Sequence, residues 1–485
     1  MTEKLKNYIG GELVSAQADE ALPVTNPATG ETIAEVPLCG GADLDRAVAA
    51  AAAAQTGWAE TPMKDRVQVL FRMKRIIERE QDRLAEVVVR ENGKTRAEAL
   101  GSIIRGVECI EYATSLPQTA CDKVLMVGQG VECRTQRSPL GVVAGITPFN
   151  FPFMVPLWMV PLALGTGNAF ILKPSEQTPL GGLEIAAILE EAGLPAGVFS
   201  VVHGGREMVE GICAHPGIAA VGFVGSTKVA RTVHARSCTA GKRVRALGGA
   251  KNHLIVVPDA NAEMTASNVV ASVTGCCGQR CMAASVLLAV GEVDHIVDDI
   301  VGRFRKMRAG VDFGPVISAA ALERIAGYCA RAADGGAELV VDGRELVSPD
   351  APAGGHWIGP CVIDHATPEH EASCDEIFGP TLTIIRCKTL DEALEIENGN
   401  AYGNAAAVYT SSGLVAQEFA HRAAAGMIGV NIGVPVPREP FAFGGWHDSS
   451  FGEGDITGPG AIDFWTRMKK ITTKWQAQKQ TNWMS

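Results

Sequence analysis

The stretch LGVVAGITPFNFPFMVPLWMVPLALGTGNAFILKPSE, residues 140–176, decides the reading of the fold. It opens on a short apolar run, passes through a longer helix-like segment, MVPLWMVPLALGTG, and closes on a second short run, AFILK. The same alternation continues through TPLGGLEIAAILEEAG, VFSVV, REMVEGICAH, AAVGFV, STKVARTVHARSCTAG and RVRAL. Short apolar runs separated by amphipathic segments of helical length predict parallel strands, because a parallel pair needs a crossover long enough to hold a helix. The expectation is an α/β protein with a doubly wound, Rossmann-type domain.

Upstream, residues 43–135 carry apolar residues at three- and four-residue spacing and read as mostly helical. A second αβ series runs from LIVVPD at 254–259 through ANAEMTASNVVASV and SVLLAVG to TLTIIR and MIGVNI. Gly248 and Gly249, where the pattern restarts, mark the boundary between the two units. A chain of 485 residues also exceeds what one hydrophobic core organises. The tail IDFWTRMKKITTKW alternates like a strand and has no evident partner along the chain, so it is expected to pair with another subunit.

Composition narrows the function classes. With 47% hydrophobic and 20% charged residues the chain is globular, and a net charge of -11 argues against general binding of nucleic acid or anionic membranes. The N-terminus lacks the apolar core of a signal peptide, and the most apolar stretch is broken by Pro152, Pro156, Pro161 and Gly165. The 13 cysteines follow no framework of spacings, which predicts free thiols in a reducing, cytoplasmic setting.

Ligands of open parallel sheets sit beyond the carboxyl ends of the strands. After AFILK comes Lys173, with Glu176 three residues on; this pair suits ribose hydroxyls, and the carboxylate would repel a 2'-phosphate, favouring NAD over NADP. After AAVGFV comes Gly225-Ser226-Thr227 at a helix start, which reads either as an ordinary N-cap or as a pyrophosphate site. No GxGxxG occurs. The segment CCGQRCMA, 276–283, places Cys281 beside Arg280, whose charge is expected to lower the thiol pKa and to be available to a substrate carboxylate. No second cluster with ligand spacing supports a metal, so none is expected.

Seven segments in order, ITPFNFPFMVPLW, LKPSE, FVGST, ALGGAKNH, GQRCMA, EIFGP and GVNIGVPVP, resemble the aldehyde dehydrogenase superfamily. They look most like its CoA-acylating methylmalonate-semialdehyde (malonate-semialdehyde) dehydrogenases. The resemblance implies Cys281 as nucleophile, with Cys276 and Cys277 as packing residues, and Asn150 as oxyanion donor. It implies cofactor contacts at Thr147, Phe149, Lys173, Glu176, Gly225, Ser226, Glu376 and Phe378, with NAD as cofactor and CoA as co-substrate. It assigns carboxylate recognition to Arg105 and Arg280. It further implies a nucleotide-binding domain over 1–120 and 140–247, a catalytic domain over 248–445 and oligomerisation segments at 121–139 and 458–485 of a homo-oligomer, dimer or tetramer. The partners implied are small-molecule substrates.

Hydrolytic members of the superfamily begin the ELGG motif with a glutamate that activates water; here the motif reads Ala246-Leu247-Gly248-Gly249. Alanine takes no proton, which points to thioester transfer to CoA. The competing readings are a hydrolytic enzyme for another acidic semialdehyde, such as succinate semialdehyde, and a catalytically silent NAD-binding protein. Two departures from the family pattern stand out: Ala230 where glycine is usual, and a segment before Gly314 shorter by about ten residues, a length that loops tolerate losing.

Overall fold

The computed structural model describes residues 3–474. Its first sheet has five parallel strands at its centre, in the spatial order Phe199–Val201, Ala169–Lys173, Val142–Ile146, Ala220–Val224 and Arg243–Leu247. The chain builds outward from Val142–Ile146 in one direction, then crosses back to build in the other. This is the doubly wound order, and it opens a crevice at the carboxyl ends where the direction reverses. Four of the five are buried at every position, which is why they read as continuous apolar runs rather than alternating ones.

Antiparallel strands from both ends of the chain close this sheet. The hairpin of Asn7–Ile9 and Glu12–Val14 joins Phe199–Val201, and Ser450–Gly452 joins Arg243–Leu247. The helix-like apolar segment is the helix Met154–Gly165, buried at every residue from Val155 onward. A helix enclosed on all sides needs no polar face. Among the described residues no helix is long and apolar enough to cross a membrane.

The second sheet has the order Glu338–Val341, Cys361–Asp364, Thr381–Cys387, Ala284–Val290, Asn252–Val256, Ala405–Tyr409 and Met427–Val430, parallel except at Glu338–Val341. Only residues 248–251 separate the last parallel strand of the first sheet from the first strand of the second. The tail corrects an expectation. Thr466–Lys474 pairs antiparallel with Val131–Pro139 of its own chain, and Val124–Gly128 completes a three-stranded sheet. The partner was hidden because it lies over 300 residues away in sequence. The rest of the expected 458–485 segment, from 475 on, lies outside the described residues.

The shortened segment closes on itself as a turn. After helix Asp294–Lys306, Arg308 N donates to Asp312 Oδ2 at 2.7 Å and Gly310 N to Phe313 O at 3.0 Å. Ala230 fills the buried face of helix Thr227–Thr239, where its methyl group joins the apolar core.

Asn168 joins the terminal segment to this framework. Its Oδ1 accepts from Leu140 N at 2.8 Å and Gly141 N at 3.1 Å, and its Nδ2 donates to Trp465 O at 2.9 Å, Thr166 Oγ1 at 3.0 Å and Ala163 O at 3.1 Å. Asn168→Ala strands these groups in the interior at about 1–3 kcal/mol each, so it should lower the urea midpoint of unfolding well below that of the parent protein.

Candidate active site

Cys281 lies three residues before strand Ala284–Val290, at the end of an unusual turn. Helix Ala262–Thr274 stops, and Cys276, Cys277 and Gly278 follow with φ of 51°, 53° and 67°. For the two cysteines this left-handed backbone is strained, at a cost of about 1–3 kcal/mol each. Glu98 helps hold it by accepting a hydrogen bond from Cys276 N. Gly278 is required on a second count: a Cβ there would stand 2.1 Å from Gly379 O, so the cysteine loop and the EIFGP loop touch backbone to backbone. Cys276 and Cys277 are both buried.

Cys281, Arg280, Glu376 and Phe378 line one small pocket. Asn150, beyond strand Val142–Ile146 of the first sheet, reaches the cysteine loop: its Nδ2 donates to Gln279 O at 3.0 Å, which leaves its second N–H available. Phe149 meets Phe378 edge to face, with centroids 5.8 Å apart. Two residues absent from the sequence reading hold this end together. Buried Lys94 donates to Asn92 Oδ1 at 2.9 Å and to Asn150 O, and lies 4.4 Å over the Phe151 ring. Gln279 accepts from Ile317 N at 3.0 Å through Oε1. The available signal was a lysine just after the helix that ends in NG, in a stretch otherwise read as plain helix.

The thiol differs from expectation. Its pKa is pushed up to about 12, first by burial and then by the negative charge of Glu376; the backbone N–H groups of Cys281 and Met282 and the charge of Arg280 oppose this and lose. Arg280 lines the pocket but is anchored to the preceding helix: Nε donates to Gly275 O and Nη2 to Ala271 O, both at 2.9 Å, so part of its charge serves the C-terminal carbonyls of helix Ala262–Thr274. Arg105 is on helix Arg96–Thr114, where it pairs with Glu108, donates to Pro437 O at 3.1 Å and lies 3.9 Å from Glu439.

Glu376 is half-buried, and its loss of water raises its carboxyl to about 7 against the opposing influence of Ala250 N–H, Lys251 and Arg324. Ala250 N donates to its Oε1 at 2.8 Å, and a Cβ on Gly249 would collide with the carboxylate at 2.2 Å. Lys251, itself lowered by burial to about 8, donates to Asp375 O at 2.7 Å.

The crevice of the first sheet collects the other residues. Thr147 follows strand Val142–Ile146 and Lys173 ends the adjacent strand, and Thr147 N donates to Lys173 O at 3.1 Å. Lys173 Nζ lies 2.8 Å from Glu176 Oε2; burial alone would raise the Glu176 carboxyl, but the ammonium outweighs it and holds the pKa below the usual value. Gly225 leads into Ser226, the N-cap of helix Thr227–Thr239, whose side chain makes no capping bond. Thr147 Oγ1 is buried without a hydrogen-bond partner. An orphaned hydroxyl, an unused cap hydroxyl at a helix N-terminus and a lysine–carboxylate pair at the switch point fit a dinucleotide.

A thiol, an amide donor and a dinucleotide crevice meeting between two α/β units define a nucleophilic oxidoreductase. Residues 13–471 match the aldehyde dehydrogenase family, and the chain belongs to it. It is 43% identical over 480 residues to malonate-semialdehyde dehydrogenase 2 of Bacillus thuringiensis, covering 97% of this chain and 98% of that one. A Sinorhizobium meliloti structure described as a methylmalonate-semialdehyde dehydrogenase complexed with NAD superposes with a TM-score of 0.97 at 41% identity, covering 99% of both chains. The methylmalonate-semialdehyde dehydrogenase of Oceanimonas doudoroffii gives 0.96 at 40% identity, again over 99% of both chains.

Because the charge of Glu376 raises the Cys281 thiol, Glu376→Gln should move the pH midpoint of Cys281 alkylation by iodoacetamide downward, followed by peptide mass spectrometry. A midpoint that stays in place would show that burial alone sets it.

Proposed function

We propose that the chain oxidises malonate or methylmalonate semialdehyde with NAD and transfers the acyl group to CoA, releasing acetyl-CoA or propanoyl-CoA. The observation that carries the acyl-transfer step is Ala246. It is fully buried in strand Arg243–Leu247, in register with Phe223 and Phe451, and brings no proton acceptor to the site.

The Cys281 thiolate adds to the aldehyde carbon, and the oxyanion is received by the free N–H of Asn150 and the N–H of Cys281. NAD, held by Thr147, Lys173, Glu176 and Ser226 with Glu376 and Phe378 at its nicotinamide end, supplies the hydride acceptor when bound. Loss of hydride from the tetrahedral adduct leaves a thioester on Cys281. CoA thiolate attacks that thioester and Cys281 sulfur leaves, so no protein base is needed to activate water. Arg105 and Arg280 supply cations for the substrate carboxylate, each keeping N–H groups beyond those that anchor it. Loss of CO2 from a malonyl-type thioester yields the shorter acyl group.

A hydrolytic reading has one observation in its favour: Glu376, with a pKa near 7, lines the Cys281 pocket and is the carboxylate able to accept a proton there. NADH production from either semialdehyde, with and without CoA, separates the two. Multiple turnovers only with CoA, and far weaker turnover of propanal, are expected; equal rates without CoA would make Glu376 a water-activating base.

The proposed assembly is a homo-oligomer that docks through Val124–Gly128. This edge strand has no neighbour on one side among the described residues, and Val124, Leu125, Met126 and Val127 are 58–67% exposed. An exposed apolar edge invites pairing with a second copy. Leu125→Glu should shift the sedimentation coefficient to a smaller species without unfolding the chain.

A further inference from the structure

We infer that Asn252 and Asn404 are positioning residues that orient the Cys281–Met282 peptide, and through it the donors around the sulfur. Both side chains are buried and aim at one atom. Asn252 Nδ2 donates to Cys281 O at 2.8 Å and to Ala283 O at 2.9 Å; Asn404 Nδ2 donates to the same Cys281 O at 2.9 Å and approaches Met282 Sδ at 3.1 Å. Both lone pairs of the nucleophile's carbonyl are therefore engaged.

The two amides are themselves fixed. Asn252 opens strand Asn252–Val256, and its Oδ1 accepts from Ala405 N at 3.1 Å; Asn404 immediately precedes the neighbouring parallel strand Ala405–Tyr409, and its main-chain oxygen accepts from Met427 N at 3.2 Å. The clamp is thus built on the amino-terminal edge of the second sheet, two strands deep.

A trans peptide is planar, and its N–H points opposite to its C=O. Fixing the carbonyl of Cys281 toward the two asparagines turns the N–H of Met282 the other way, to the side where that N–H and the N–H of Cys281 act on the thiol. These donors stabilise sulfur as an anion, and the N–H of Cys281 serves the oxyanion in the reaction proposed above, on which this inference rests. The charged groups facing Cys281 are Glu376 from the EIFGP loop, which disfavours the thiolate, and Arg280 from its own loop, which favours it weakly. Neither contacts the asparagine amides in the bonds described, so the clamp acts beside them rather than through them.

The test compares the parent protein with Asn404→Ala, and with Asn404→Ser if the alanine variant does not accumulate in folded form. The readouts are the pH profile of Cys281 alkylation by iodoacetamide without substrate, thermal unfolding, and kcat and KM. The expected result is alkylation slowed about threefold or more at every pH below the midpoint, the equivalent of an upward displacement of roughly half a unit, and kcat reduced about tenfold, with KM for NAD little changed. An unchanged alkylation profile, whatever the loss of thermal stability, would reduce the pair to scaffolding and overturn the inference. Alkylation needs neither aldehyde nor CoA, so failure of the proposed substrate leaves this outcome readable.

Discussion

The site depends on the four-residue join from Gly248 to Lys251. Gly248 N donates to Ser449 O at 2.8 Å, Gly249 N to Thr227 Oγ1 at 2.8 Å and Ala250 N to Glu376 Oε1 at 2.8 Å, while Lys251 Nζ reaches Asp375 O at 2.7 Å. So short a link, bonded at each step, brings the carboxyl end of one sheet against the amino end of the other. The nucleotide crevice and the cysteine loop face each other because the chain has no slack with which to separate them. Gly249 lacks a Cβ where the Glu376 carboxylate must lie, and Gly278 does the same for the approach of Gly379.

Electrostatics around the sulfur follow from that enclosure. Burial penalises every charge it surrounds: it raises Cys281 and Glu376 and lowers Lys251. The largest opposing influence is a backbone N–H group for Cys281 and for Glu376, and the charge of Glu376 for Lys251. At the sulfur the charge of Glu376 comes second to burial, and the peptide N–H of Cys281, Arg280 and the N–H of Met282 oppose it in that order. Arg280, adjacent to Cys281 in sequence, thus has a smaller effect than Glu376, which is remote in sequence.

The parallel strands were legible because most are buried on both faces and read as uninterrupted apolar runs between turn residues. The place of Lys173 and Gly225 followed from the general rule for carboxyl ends of such strands. What was not legible depends on contacts between distant segments and on one backbone turn. The partner of Thr466–Lys474 and the carboxylate of Glu376 that raises the thiol come from remote parts of the chain, and the orientation of Arg280 depends on the left-handed turn that brings it back to the carbonyls of Gly275 and Ala271. Asn252 lay inside a quoted motif and Asn404 at the entry to a buried strand, but a polar residue at a strand end is ordinarily a turn former, and only convergence on one carbonyl distinguishes these two.

The first sheet takes its closing strand from Ser450–Gly452 and packs Phe170 against Trp465, with ring centroids 6.0 Å apart. Its parallel strands are all complete by residue 247. During synthesis, therefore, the nucleotide-binding half leaves the ribosome long before the pieces that cover its edge and seal its core. The nascent chain must carry an open sheet margin, and a Phe170 that has Phe199 but not yet Trp465 against its ring, while some 200 further residues are translated. Folding of the two halves is thus tied to completion of the whole polypeptide rather than proceeding strictly from the N-terminus.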